Sequence, residues 1–181
     1  MKDLLDEDAQ RFLLTLARRT IEEFLRRRKY PRPKAAPKNL KEKRGAFVTL
    51  KKDGELRGCM GSPLPYKPLA QTVAEMAVAA ATQDPRFPPV RIEELDRLKI
   101  EISVLTLPRP IQDISEIEVG RHGIIISKGP NRGLFLPQVP TEYNWDLKTY
   151  LRQGCHKAGL DEDEWQKGAR IEVFEAQVFS E

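Results

Sequence analysis

A chain of 181 residues, 40% hydrophobic and 32% charged, is long enough for one substantial core, in one or two lobes. Its net charge of +4 and pI near 9.1 permit a nucleic-acid partner without requiring one. No apolar run approaches the roughly 18 residues of a membrane span, and the start, MKDLLDEDAQ, lacks a signal-peptide core, so the sequence reads as cytoplasmic with no membrane contact.

The first segment, DEDAQRFLLTLARRTIEEFLRRRKYP, predicts a helix. Phe12, Leu13, Leu16, Ala17, Ile21, Phe24 and Leu25 recur at three- and four-residue spacing. Asp6 or Asp8 can cap its start, and Pro31 is placed to stop it. A basic stretch follows, Arg32 to Arg44, which reads as a mobile arm or a strap over the surface. GAFVTLKKDGELRGCMG predicts a β-hairpin turned at Asp53-Gly54, with Cys59 at the far end of its second strand. The alanine-rich PLAQTVAEMAVAAATQ predicts a helix that another element can approach closely, ended by Pro85.

RIEELDRL predicts a short helix and KIEISVLTL a half-buried strand. HGIIISKGPNRGLFLPQV predicts a second hairpin, turned across Gly129 to Gly133. WDLKTYLRQGCHKAGL predicts a helix closed by a left-handed Gly159. In the last strand, RIEVFEAQVF, the inward face changes phase, which predicts a β-bulge between Val173 and Phe174. Hairpins dominate over βαβ alternation, so the expected class is α+β with a mixed or mostly antiparallel sheet packed by helices, and residues 1–181 read as one domain.

The RGCMGS stretch is the first candidate for chemistry. A strand ending in a glycine-rich turn before a helix can aim backbone N–H groups at an anion, with Arg57, Lys67 and Ser62 in support. Such a site favours the thiolate of Cys59 and makes it nucleophilic. The alternative is a Cys59 that fills space where two backbones come close. In DPRFPPV, Asp84 and Arg86 either pair with each other or offer a carboxylate and a cation to a ligand, on a loop stiffened by prolines. His122, at the start of a strand, is a candidate general base. His156, beside Cys155 near a helix end, suits a dipole partner better than a catalyst. Gln138, Glu142, Tyr143 and Trp145 form either an aromatic and polar wall for a base or peptide, or a helix start capped by Asn144 with Trp145 folded inward. No C-x-x-C occurs, and no metal site is expected.

Taken together these segments resemble the AMMECR family. The matching residues are Leu56-Arg57-Gly58-Cys59-Met60-Gly61, where the family usually has Ile or Val for Met60, and Asp84-Pro85-Arg86-Phe87-Pro88-Pro89. Further matches are Ile102-Ser103-Val104-Leu105, Val119-Gly120-Arg121-His122-Gly123, and Leu136-Pro137-Gln138-Val139 followed by Glu142 and Trp145. The resemblance implies a two-lobed α+β domain with a cleft between the lobes and the R-G-C motif close to it. It also implies an unestablished activity, for which nucleotides or nucleic acids have been proposed, and prokaryotic relatives encoded beside Memo-type or radical-SAM proteins. Cys155 and His156 fall where family members vary.

Two readings follow. In the first the chain is an enzyme acting on a nucleotide or RNA: Cys59 is the nucleophile or thiol acid, and His122 or Glu142 moves protons. Arg57, Gly58, Gly61, Asp84, Arg86 and Trp145 then border the substrate. In the second it is an interaction module for Memo-type or radical-SAM partners, and Cys59 only shapes the backbone. RNA binding through the basic stretch is a third route, weakened by the absence of interleaved aromatics. The sequence specifies no cofactor.

Overall fold

The computed structural model describes residues 4–29 and 36–181. In chain order its elements begin with α1 (Glu7–Arg27), β1 (Ala46–Lys52), β2 (Glu55–Ser62), α2 (Leu69–Thr82), β3 (Leu98–Leu105) and β4 (Arg109–Pro110). They continue with β5 (Gly123–Lys128), β6 (Asn131–Phe135), α3 (Val139–Glu142), α4 (Leu147–Lys157), β7 (Arg170–Phe174) and β8 (Ala176–Ser180). The class is α+β, as expected: two four-stranded antiparallel sheets, each packed by helix. The chain forms two units, Met1–Leu105 with Gln177–Glu181, and Thr106–Ala176. No helix among the described residues is long and apolar enough to cross a membrane.

In the first unit the strand order is β2-β1-β3-β8. Alternation along β1 and β3 turns Val48, Leu50, Ile100, Ile102 and Val104 to one face, where they are buried against Leu13, Ala17 and Ile21 of α1 and Leu69, Val73 and Ala77 of α2. The Asp6 carboxylate caps α1 by accepting the Ala9 N–H at 2.8 Å. The helix ends at Arg27 because Arg28 turns left-handed (φ 53°) and donates its N–H to the Phe24 carbonyl. Pro31, the expected stop, lies outside the described residues. Of the basic stretch, residues 36–44 are described, and they lie as a strap: Lys38–Lys41 forms a 3₁₀ turn that buries Leu40 completely. α2 ends at Thr82, ahead of Pro85.

In the second unit the order is β4-β7-β5-β6, with α4 packed on β5 and β6. Ile124, Ile126, Val173, Tyr150, Leu151 and Cys155 form its core. Asp146 caps α4 by accepting the Thr149 N–H, in place of the Asn144 cap considered above. Gly159 closes the helix with φ 72°, and Leu160 N–H reaches the Cys155 carbonyl.

Two expectations change on contact with the structure, and one pairing appears that the sequence did not announce. The second hairpin turns at Gly129-Pro130, and Gly133 lies inside β6, where the helix backbone comes close. The phase change near Val173 is not a bulge. β7 ends at Phe174 and β8 begins at Ala176 in the other sheet, where Phe179 packs on the core and Val178 is 58% exposed, so the apolar run from Phe174 to Val178 does not mark an inward face. The pair β4 with β7 had no sequence signal, because a two-residue strand is too short to show a period.

A methyl at Gly133 would lie 2.6 Å from the Ala158 nitrogen and 2.8 Å from the Gly154 oxygen. Gly133→Ala is therefore expected to cost about 2 kcal/mol through overpacking. Urea denaturation checks this as a lowered midpoint at unchanged slope.

Candidate functional site

The site grows from an irregularity in the first hairpin. Asp53 and Gly54 both adopt positive φ, so the turn joins Lys52 to Glu55 and Lys51 to Leu56. The next pair is Leu50 with Gly58, which leaves Arg57 as an extra residue and makes a β-bulge. From there on every pairing shifts by one, and Thr49 faces Cys59 rather than Gly58. The strand then runs on to Ser62. Cys59 therefore lies inside a strand and not at the glycine-rich strand end expected from sequence.

The two flanking glycines have packing partners. A Cβ on Gly58 would stand 2.2 Å from the Ala80 carbonyl oxygen of α2, and one on Gly61 would stand 2.0 Å from the Phe47 ring. Gly58 thus lets helix and strand backbones meet, as the alanines of α2 suggested. Cys59 points to the opposite face of the sheet, half-buried, beside Thr49. The Thr49 hydroxyl donates to its sulfur, with Oγ1 and Sγ 3.2 Å apart.

β2 is an outer strand, so the Cys59 N–H has no strand to pair with on its free side. Asp84, just beyond the end of α2, meets it: Oδ2 accepts the Cys59 N–H at 2.8 Å. The same oxygen accepts Arg86 Nη2 at 2.7 Å, while Oδ1 accepts the Arg86 N–H and Nε at 3.0 Å each. The Asp84 side chain is only 3% exposed. The Arg86 guanidinium holds this carboxyl well below the usual range, and the Cys59 and Arg86 amides add to that against the opposing effect of burial. Arg86 is half-exposed and lies over the Phe87 ring at 5.5 Å. Asp84 and Arg86 thus form the ion pair foreseen as one alternative. Cys59 and Arg86 are tied to one carboxylate oxygen.

Arg57 is committed elsewhere. Its Nε and Nη2 each donate to Glu94 at 3.0 Å, and Nη1 donates to the Pro88 carbonyl at 2.9 Å. Lys52 and the Arg91 amide also reach Glu94, and this set, led by Arg57, holds the Glu94 carboxyl down at about 2. Lys67 pairs with Glu75 at 2.6 Å.

The remaining expected residues belong to the second unit. His122 is buried. Its Nδ1 accepts the Glu118 N–H at 3.0 Å, its Nε2 lies 3.6 Å from the Glu175 carboxylate, and its carbonyl accepts the Tyr150 hydroxyl at 3.2 Å. Glu142 ends α3 in solvent and shares no hydrogen bond with His122. Trp145 is half-buried, stacked on exposed Tyr143 at 5.1 Å and edge-on to Phe135 at 5.5 Å, which combines the two arrangements considered. Cys155 is fully buried, and burial pushes its thiol up. His156 lies 3.8 Å from Glu162.

The family model for AMMECR1 matches residues 14–179, which includes every motif quoted above. The chain belongs to the AMMECR1 family. Protein MK0488 of Methanopyrus kandleri is 50% identical over 180 residues, covering 94% of this chain and 87% of its own. Protein Mbar_A1807 of Methanosarcina barkeri is 47% identical, with 94% and 89% covered. Among solved structures, the uncharacterized protein PH0010 from Pyrococcus horikoshii superposes with a TM-score of 0.79 at 43% identity, covering 98% of this chain and 93% of that one. For this AMMECR1-family chain, the residues that sequence reasoning missed are Thr49 and Glu94. The first comes opposite Cys59 only through the bulge, and the second is an unremarkable glutamate in a charged segment.

The depressed carboxyls give this region an acid sensitivity with a defined sign. Glu94 stabilises the fold fully above its ordinary value of 4.5, and that contribution is lost as pH falls toward about 2. Asp84 begins to lose its contribution as pH falls below its ordinary value of 3.8, and that loss runs on to lower pH than the loss at Glu94. Urea midpoints measured from pH 6 down to pH 2.5 are expected to decline most steeply below about 4.5, and Glu94→Gln is expected to flatten that decline.

Proposed function

We propose that this chain is an enzyme that uses the Cys59 thiol as a nucleophile on an anionic substrate of the nucleotide or RNA class. The observation that carries this reading is the shared Asp84 oxygen, which fixes the Cys59 amide and the Arg86 guanidinium side by side. Asp84 engages Nε and Nη2 of Arg86, leaving the Nη1 edge of a half-exposed guanidinium to hold a phosphate or carboxylate. Arg57, with all three nitrogens engaged, is left out of that role. The thiol gives its proton to solvent, and the thiolate forms a bond to the electrophilic centre of the bound substrate. The leaving group departs with the electron pair of its own bond.

Leu56 on β2 and Tyr66 in the segment between β2 and α2, 42% and 69% exposed, favour the second reading, a docking surface for a Memo-type or radical-SAM partner. Under that reading Cys59 has no chemical task.

Iodoacetamide labelling of the native chain from pH 5 to 9, read by peptide mass, separates the two. Cys59 is expected to label at least tenfold faster than buried Cys155, and a nucleotide or short RNA is expected to protect it in the wild type but not in Arg86→Ala. Equal labelling of the two thiols, or an inert Cys59, overturns the enzyme reading in favour of the docking surface.

A further inference from the structure

Thr49 is the middle of a three-residue row across the sheet. Its partner on β2 is Cys59 and its partner on β3 is Glu101, so all three side chains lie on the face away from the helices. The hydroxyl thus has a sulfur paired on one side and a carboxylate on the other, and a charged oxygen is in general the stronger acceptor. The hydroxyl nevertheless bonds to Cys59 Sγ. The carboxylate of Glu101 is held instead by Lys51, whose Nζ lies 2.8 Å from Oε2. Lys51 is two residues from Thr49 along β1, on the same face, so the ion pair runs diagonally across the strands beside the hydroxyl.

We infer that Thr49 is a positioning residue for the Cys59 thiolate, and that the Lys51–Glu101 pair decides which acceptor the Thr49 hydroxyl serves. With Lys51 in place, Glu101 is satisfied from its own side and the hydroxyl is left to the sulfur. Donation to the charged form of a group favours that form. Without Lys51, Glu101 competes for the proton of Thr49 and the sulfur loses its donor. The inference rests on the reading of Cys59 as a reactive thiol.

The test is the iodoacetamide rate at Cys59 in the full chain, at pH 7 and pH 9.5, for the wild type, Thr49→Val, Thr49→Ser and Lys51→Met. Loss of one hydrogen bond to the sulfur slows Thr49→Val at pH 7 by about fivefold, and the deficit closes at pH 9.5, above the ordinary range in which thiols ionise. Thr49→Ser keeps the wild-type rate, and Lys51→Met falls toward Thr49→Val. A Thr49→Val rate equal to wild type at pH 7, with Cys59 still labelled, overturns the inference alone. The same deficit at both pH values also overturns it, since that marks a change in access. A wild-type Cys59 inert at both pH values overturns the enzyme reading itself.

Discussion

An outer strand leaves alternate amides without a sheet partner, and at Cys59 the carboxylate of Asp84 supplies one. That carboxylate accepts four hydrogen bonds while almost wholly buried, which is tolerable only because Arg86 neutralises it in place. The arrangement works in both directions. Asp84 secures the edge of the sheet, and the sheet edge secures the turn after α2 that carries Arg86. Pro85 between them has a fixed φ, which limits the freedom of this turn.

The close approach of α2 to β2 is the condition for that contact. Ala80 and Gly58 meet backbone to backbone, so the helix end that carries Asp84 is brought to the strand at the residue before Cys59. A side chain at position 58 would lift the helix away and leave a buried charge without its amide partner, so packing and electrostatics fail together. The bulge at Arg57 has a comparable double effect. It sends Arg57 to Glu94 and Pro88, bracing the outer strand against the segment ahead of β3, and it advances the register so that a hydroxyl meets the thiol.

The local elements were legible in the sequence because local rules produce them. The Asp53-Gly54 hairpin, the apolar stripe of α1, the alternation of β3 and the Gly159 cap each depend on residues within a few positions of one another. What was not legible depended on partners distant in sequence. The Asp53-Gly54 turn by itself pairs Thr49 with Gly58, and only the bulge, which no local residue type announces, moves the pairing to Cys59. The apolar run through Phe174, Ala176 and Val178 read as a phase change, but the chain passes to the other sheet at Glu175 and leaves Val178 exposed, which depends on a core distant in sequence. Gly133 looked like part of a turn because a glycine that admits a helix backbone and a glycine that turns a chain are the same letter. The Asp84–Arg86 pair was legible as one of two options, and burial of the carboxylate selects between them.

Arg57 and Arg86 come from two quoted motifs and are both candidates for holding an anion, yet the structure gives them different capacities. A guanidinium presents donors along its edges, and what it can still bind is set by the edges that the protein has not used. Glu94 takes Nε and Nη2 of Arg57 and Pro88 takes Nη1, so that cation is a structural brace with its charge already balanced. Asp84 takes Nε and Nη2 of Arg86, and the Phe87 ring lies beneath the guanidinium plane. The orientation of Arg86 is therefore fixed while its Nη1 edge is open. Fixing a donor before a ligand arrives lowers the entropy lost on binding, and this cation stands one carboxylate oxygen away from the backbone of the thiol. Under the enzyme reading proposed above, an anion held on that edge would be fixed in orientation relative to the Cys59 backbone.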